Sequence, residues 1–289
     1  MRRPAPETIE AIQHPGPMAE ERRPYASCLA KAVSFDLQMN QPLLEALGRW
    51  AESAGYCSAV LDLGGVSLSP FDYVMPDCAI DDRHAAWYSD TRSSSGAVLD
   101  EAVAILGWRD GNWFAHIHAY WEEAGSNHLG HLLPDTLSVN KASRISGFGL
   151  RGARFKAELD PETEFTLFRV KADPESMGKM PPNALITTLA PFEDLHDSVL
   201  ALSSKLPESS FSVFGLGSLA GAEFFNAPPM TGMISEILLQ GALLAVDEKE
   251  LQIPVRTVDL HGTLHKGTLV PGRAPTLVTC ELLLMVKDE

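Results

Sequence analysis

The sequence predicts an α/β (α+β) protein made of two tandem copies of one small domain, each with a helix and several strands. Three observations carry this. Short runs with period-2 alternation are interrupted by single stretches of helical period. The order helix, strand, glycine turn, strand, variable loop, strand, histidine-bearing strand occurs twice along the 289 residues. Successive strand patterns are also joined by short turns of the kind that build hairpins.

Residues 1–24 hold Pro4, Pro6, Pro15, Pro17 and Pro24 with few large apolar groups, and read as an N-terminal tail or a strap on a domain surface. Ala30 to Met39 alternates as a strand. Pro42 suits a helix start, Leu43, Leu44, Leu47, Trp50, Ala51 and Ala54 recur at helical spacing, and Gly55 is a stop signal. Tyr56 to Leu63 and Ser69 to Met75 read as strands, and the polar stretch 76–96 as a long loop. Val98 to Trp108 and Asn112 to Trp121 follow as strands around the turn Arg109-Asp110-Gly111.

A shift of 153 positions lays Val60, Leu63, Gly64, Phe71 and Pro76 on Val213, Leu216, Gly217, Phe224 and Pro229, and Leu47 on Leu200. With a shorter loop, His118 then falls on His261, an offset of 143. The Pro-rich polar stretch 171–183 marks the boundary, giving a first domain at 25–172 and a degenerate second domain at 183–289.

Composition narrows the function classes. Hydrophobic residues are 45% and charged residues 21%, ordinary for a globular chain. None of Cys28, Cys57, Cys78 and Cys280 forms a C-x-x-C pair, which removes zinc ribbons and thioredoxin-like motifs. No apolar run spans a bilayer and Met1-Arg-Arg-Pro lacks the apolar core of a secretory signal, so the expected location is cytoplasmic, with no membrane partner. The formal net charge of −15 opposes long-range steering toward DNA.

The chemistry concentrates in 113–133. His116 and His118 are two apart on a strand and share a face. If the next turn centres on Ala124-Gly125, residue i pairs with residue 249 − i, and His131 lies opposite His118 on that face. His128 pairs with Trp121 and points away. Three imidazoles with an open fourth position make a catalytic-type site for zinc or another divalent transition metal. An anion-binding polar cluster and a vestigial site are the alternatives. Glu122 and Asp135 share the face by parity, and Glu122 is the candidate catalytic proton carrier. In the second copy, Asp259, His261 and roughly Arg273 stand at the three positions, with His265 on the same strand face. Gly147-Phe-Gly-Leu-Arg-Gly152 fits G-x-G-x-x-G without the strand-to-helix setting, and reads as a loop near the site.

His116-x-His118 followed by Gly130-His131-Leu132, behind a helix–strand–glycine core, resembles the PPC domain, the plant and prokaryote conserved domain of unknown function. Leu129 stands where that pattern has its first glycine. The resemblance covers roughly residues 30–172, and more weakly 183–289. It implies an α/β sandwich with a mainly antiparallel sheet and a packed helix in each copy, usually assembled as trimers, so the expected state is a homo-oligomer, trimer or dimer. Plant members accompany AT-hooks, but Arg-Arg-Pro at 2–4 and 22–24 is not Arg-Gly-Arg-Pro. At fold level the chain also resembles acetolactate decarboxylase, whose zinc sits on a His-x-His pair plus a later His; His116, His118 and His131 match that pattern.

Three functions follow as expectations. One is a metalloenzyme, a zinc-dependent lyase or hydrolase, acting on a small polar or carboxylate substrate, with an anchoring arginine among Arg144, Arg151, Arg154 and Arg256. The second is a DNA-binding or regulatory module, as in the plant proteins. The third is a non-catalytic ligand-binding or assembly protein with a structural metal.

Overall fold

In the computed structural model, residues 2–208, 210–239, 242–243 and 251–287 are described. The first half runs β1 (Tyr25–Leu37), α1 (Leu43–Ala54), β2 (Ser58–Asp62), β3 (Phe71–Val74), β4 (Pro76–Asp77), β5 (Trp87–Tyr88), β6 (Arg92–Ser94), β7 (Leu99–Arg109), β8 (Asn112–Glu123), β9 (Ser126–Leu132), β10 (Ser143–Leu159), β11 (Thr166–Asp173) and the one-turn α2 (Pro174–Met177). The second half runs β12 (Ala184–Leu189), α3 (Leu195–Ser203), β13 (Phe211–Leu219), β14 (Ser235–Leu239), β15 (Ala242–Leu243), β16 (Pro254–Asp259), β17 (Leu264–Thr268) and β18 (Thr276–Val286). The class is α+β, mainly antiparallel.

Strand order shows the repeat. The first half pairs as β1-β10-β2-β7-β8-β9 and the second as β12-β18-β13-β14-β16-β17, element for element. The two series join where β1 pairs β12, at Tyr25↔Thr187 through Cys28↔Ala184. The repeat lies in element order and not in the residue register of the 153 shift. Val60 packs in the core between the halves, whereas Val213 packs on the helix side of its sheet. Leu47 is fully buried, whereas Leu200 is 51% exposed. Strand faces alternate every residue and a helical step turns about 100°, so a register off by one swaps inside for outside.

Each half has its own core under its helix. Leu43, Leu47 and Ala51 of α1 close over Leu61, Leu106 and Trp121, and Leu195, Val199 and Leu202 of α3 close over Val213, Leu282 and Leu284. A third cluster, including Ile105, Phe155, Leu216 and Leu283, fills the space between the halves. Burying side chains of this size contributes roughly 1.5–3 kcal/mol each, which holds the halves face to face.

Residues 147–152 are not a loop. They lie mid-strand in β10, with Phe148 paired to Ala32 of β1 and to Val60 of β2. The glycines answer close approach: a Cβ on Gly147 would sit 2.3 Å from the Val60 carbonyl oxygen, and one on Gly149 2.5 Å from the Tyr56 ring. The stretch 76–96 holds three short strands, β4, β5 and β6, instead of a bare loop. Residues 2–24 lie as a strap. Arg2 pairs with Asp77 at 3.0 Å and donates to the Cys78 and Tyr88 carbonyls, Ile12 is buried beside Ala86 and Leu277, and a His14 ring nitrogen meets the Leu277 carbonyl at 2.9 Å. Among the described residues, no helix is long and apolar enough to cross a membrane.

Candidate metal centre

The β8–β9 hairpin turns at Ala124 and Gly125, whose φ angles of 53° and 79° are the positive pair that a two-residue hairpin of native twist requires. His118 pairs with His131 and Trp121 with His128, as the 249 − i register predicts. His128 stacks on Trp121 on the other side of the hairpin, with ring centroids 5.4 Å apart.

The structure brings His116, His118 and His131 together. One ligand atom from each lies within 4.8 Å of the other two. The Nε2 atoms of His116 and His118 are 3.1 Å apart. Tetrahedral bonds of 2.0–2.1 Å place donor nitrogens about 3.3 Å apart, so this spacing fits one ion. Each ring meets a partner at Nδ1. His116 Nδ1 meets Glu281 Oε2 at 2.8 Å, His118 Nδ1 meets the Ile237 carbonyl oxygen at 2.7 Å, and His131 Nδ1 meets the Tyr88 hydroxyl at 3.1 Å. The carboxylate and carbonyl acceptors on Nδ1 of His116 and His118 leave Nε2 of each with a free lone pair, the usual support for a metal-binding histidine, while the Tyr88 hydroxyl can donate to His131 or accept from it. A set of imidazole nitrogens fits a divalent transition metal.

Two of these supports come from the second half of the chain. Glu281 on β18 and Glu236 on β14 are almost completely buried, with Glu236 Oε1 3.8 Å from His118 Nε2 and Glu236 Oε2 without a hydrogen-bond partner. Burial pushes the Glu236 carboxyl well above the usual range. Burial, followed by the neighbouring His116, pushes His118 well below the ordinary histidine value. Burial, then His116 and His118, does the same to His131. The Tyr88 hydroxyl is raised by burial and then by Glu236 and Glu281, while the residue as a whole is 44% exposed.

Glu122 is not brought to the histidines. It is exposed at the hairpin end, where its carboxylate accepts from the Gly125 N–H at 2.9 Å. It pairs with Asn127, four residues beyond His118, about 13 Å along the strand. Asp135 is likewise exposed. Strand parity named a face but not a distance along it. The carboxylates that do meet the site, Glu236 and Glu281, had a sequence signal of their own: each is a lone acid inside an apolar run, Ile234–Leu239 and Leu277–Met285. Such acids are rare in buried strands unless they are partnered.

The second half does not carry a matching histidine set. His261 is exposed in the turn after β16, and Arg273 lies beyond the end of β17. His265 Nε2 stands 3.4 Å from Asp259 Oδ2. Among the described residues, the only grouping able to hold a metal is the trio of the first half. The four arginines considered as anchors are engaged elsewhere: Arg144 with Asp36, Arg151 with the Ala54 carbonyl, Arg154 with Asp173, and Arg256 with Glu101.

Fold and site together define a tandem α+β protein with one trihistidine cluster closed by its second half. Among solved structures it is similar to a metal-containing protein from Archaeoglobus fulgidus, at 16% identity and a TM-score of 0.39, over 50% of this chain and 96% of the other. It is also similar to a plant- and prokaryote-conserved (PPC) protein from Pyrococcus horikoshii, at 14% identity and a TM-score of 0.36, over 49% of this chain and 93% of the other. A candidate DNA-binding protein from Ralstonia eutropha JMP134 aligns at 18% identity and a TM-score of 0.35, over 47% and 88%. No family model and no curated protein matches the sequence.

Proposed function

We propose that the chain is a metal-dependent enzyme of the lyase or hydrolase kind. In this reading His116, His118 and His131 hold zinc or another divalent transition metal through Nε2, and Glu236 is the group that carries a proton beside it. The observation that supports it is the anchoring of His116 and His118 at Nδ1, by Glu281 and the Ile237 carbonyl, with their Nε2 atoms facing one another and His131 beside them. An ion so held supplies Lewis-acid polarisation of a substrate oxygen. Glu281 orients His116, and Tyr88 orients His131. Glu236 takes the role that sequence parity assigned to Glu122, because its Oε1 stands against His118 and its Oε2 is buried and unpartnered. A pocket of about 280 Å³ opens onto His116, His118 and Glu236, so a small molecule can reach the ion. A DNA-binding role has less support, since the formal net charge is −15.

The test is metal content by elemental mass spectrometry on untagged protein purified without chelator, beside the His116→Ala/His118→Ala variant. About one metal per chain is expected in the wild type and none in the variant. Equal, near-zero content in both after reconstitution with zinc would sink the proposal.

A further inference from the structure

The pocket beside the histidines has a one-sided chemistry. Its walls come from both halves: 76, 86–88 and 165–167 from the first, 217–218, 234–236 and 277–279 from the second. The volume of about 280 Å³ equals about nine waters at 30 Å³ each, room for a molecule of about nine non-hydrogen atoms. Trp87, Phe165, Leu167 and Leu277 line it, and the Trp87 and Phe165 rings lie 5.4 Å apart at 59°, two faces of an aromatic corner. Among the described residues, no lysine or arginine lines it. Two lining serines are already engaged: Ser235 Oγ donates to the Leu219 carbonyl and Ser218 Oγ accepts from the Val278 N–H. Glu236 Oε2 and Thr279 Oγ1, beside the histidine cluster, are buried and without partners; the Trp87 indole and the Thr166 hydroxyl, on residues that are not buried, are further polar groups of the lining.

We infer that the pocket takes a small, flat molecule with one polar end and an otherwise apolar, aromatic or alkyl body, such as an aryl carbonyl compound. A sugar, a phosphate or a polyfunctional acid is excluded on desolvation. Such a ligand would bring several hydrogen-bonding or charged groups against Phe165, Leu167 and Leu277, whose side chains have nothing to pair them, and no lysine or arginine of the lining would meet a negative charge. A flat apolar body instead gains the burial that these walls offer. The polar end goes to the ion, Glu236 and Thr279. This narrows the expectation of a polar or carboxylate substrate, and it rests on the metal-site proposal for the polar end only.

The experiment uses two probes with one head and different bodies, benzohydroxamate and acetohydroxamate. On cobalt(II)-loaded protein, the visible cobalt bands report the affinity of each. The phenyl compound should bind about tenfold tighter or more, which is about 1.4 kcal/mol. Phe165→Ala and, as a milder change, Phe165→Leu should shrink that ratio while leaving acetohydroxamate affinity unchanged. On chelator-stripped protein, saturation-transfer NMR should still pass magnetisation to the phenyl protons. Equal affinities for the two probes, or a ratio untouched by both Phe165 variants, overturns the inference. Cobalt uptake with equal affinities leaves the metal site standing alone. No cobalt uptake with phenyl transfer retained removes the metal and keeps the pocket chemistry. Neither signal rejects both.

Discussion

Glu281 offers the sharpest test of how the second half completes the site. Its carboxylate is 1% exposed and its Oε2 stands 2.8 Å from His116 Nδ1, across 165 residues of sequence. Supports of this kind hold a ligand ring in place and raise its basicity, and losing one typically costs 10–100-fold in metal affinity, about 1.4–2.7 kcal/mol. Glu281→Gln keeps an acceptor oxygen of the same reach but removes the charge, so a loss of about tenfold is expected. Glu281→Leu removes charge and acceptor together, strands the Nδ1 proton of His116, and should approach the hundredfold end of that range. The assay is zinc competition against a chromophoric chelator, with a thermal melt of each metal-free variant to confirm folding. The expected order of affinity is wild type, Gln, Leu. Variants that melt like the wild type yet bind zinc with unchanged affinity would refute the claim that Glu281 positions His116. If His116 instead holds no metal, all three proteins would fail to compete at the start, a different outcome from equal competition.

Two further outcomes are expected. Glu122→Ala should leave zinc affinity unchanged and shift stability by no more than about 0.5 kcal/mol, because the side chain is exposed at the hairpin turn; a tenfold loss of zinc affinity in the same competition would restore it to the site. Gly147→Ala should destabilise by roughly 1–3 kcal/mol in urea unfolding, because its Cβ would meet the Val60 carbonyl oxygen at 2.3 Å between two paired strands; an unchanged midpoint would show that β2 and β10 can part at little cost.

The sequence by itself determined the local geometry. Strand alternation placed His116 and His118 on one face, and a two-residue turn at Ala124-Gly125 set the register that pairs His131 with His118 and sends His128 away. Those relations need only the period of a strand and the length of a turn, both local properties of the chain. The tandem architecture was legible in the same way, as an order of elements, while residue-level equivalence such as Val60 with Val213 was not. What only the tertiary structure decided is how the site is completed. The Ile237 carbonyl and Glu281 reach His118 and His116 across 119 and 165 residues, Glu236 and not Glu122 stands beside the histidines, and the aromatic corner of Trp87 and Phe165 shapes the pocket. The physical reason is that these contacts depend on how two sheets pack across their shared core. No periodicity within either half records that packing, because a strand's pattern states which face is buried but not what lies on the other side of it.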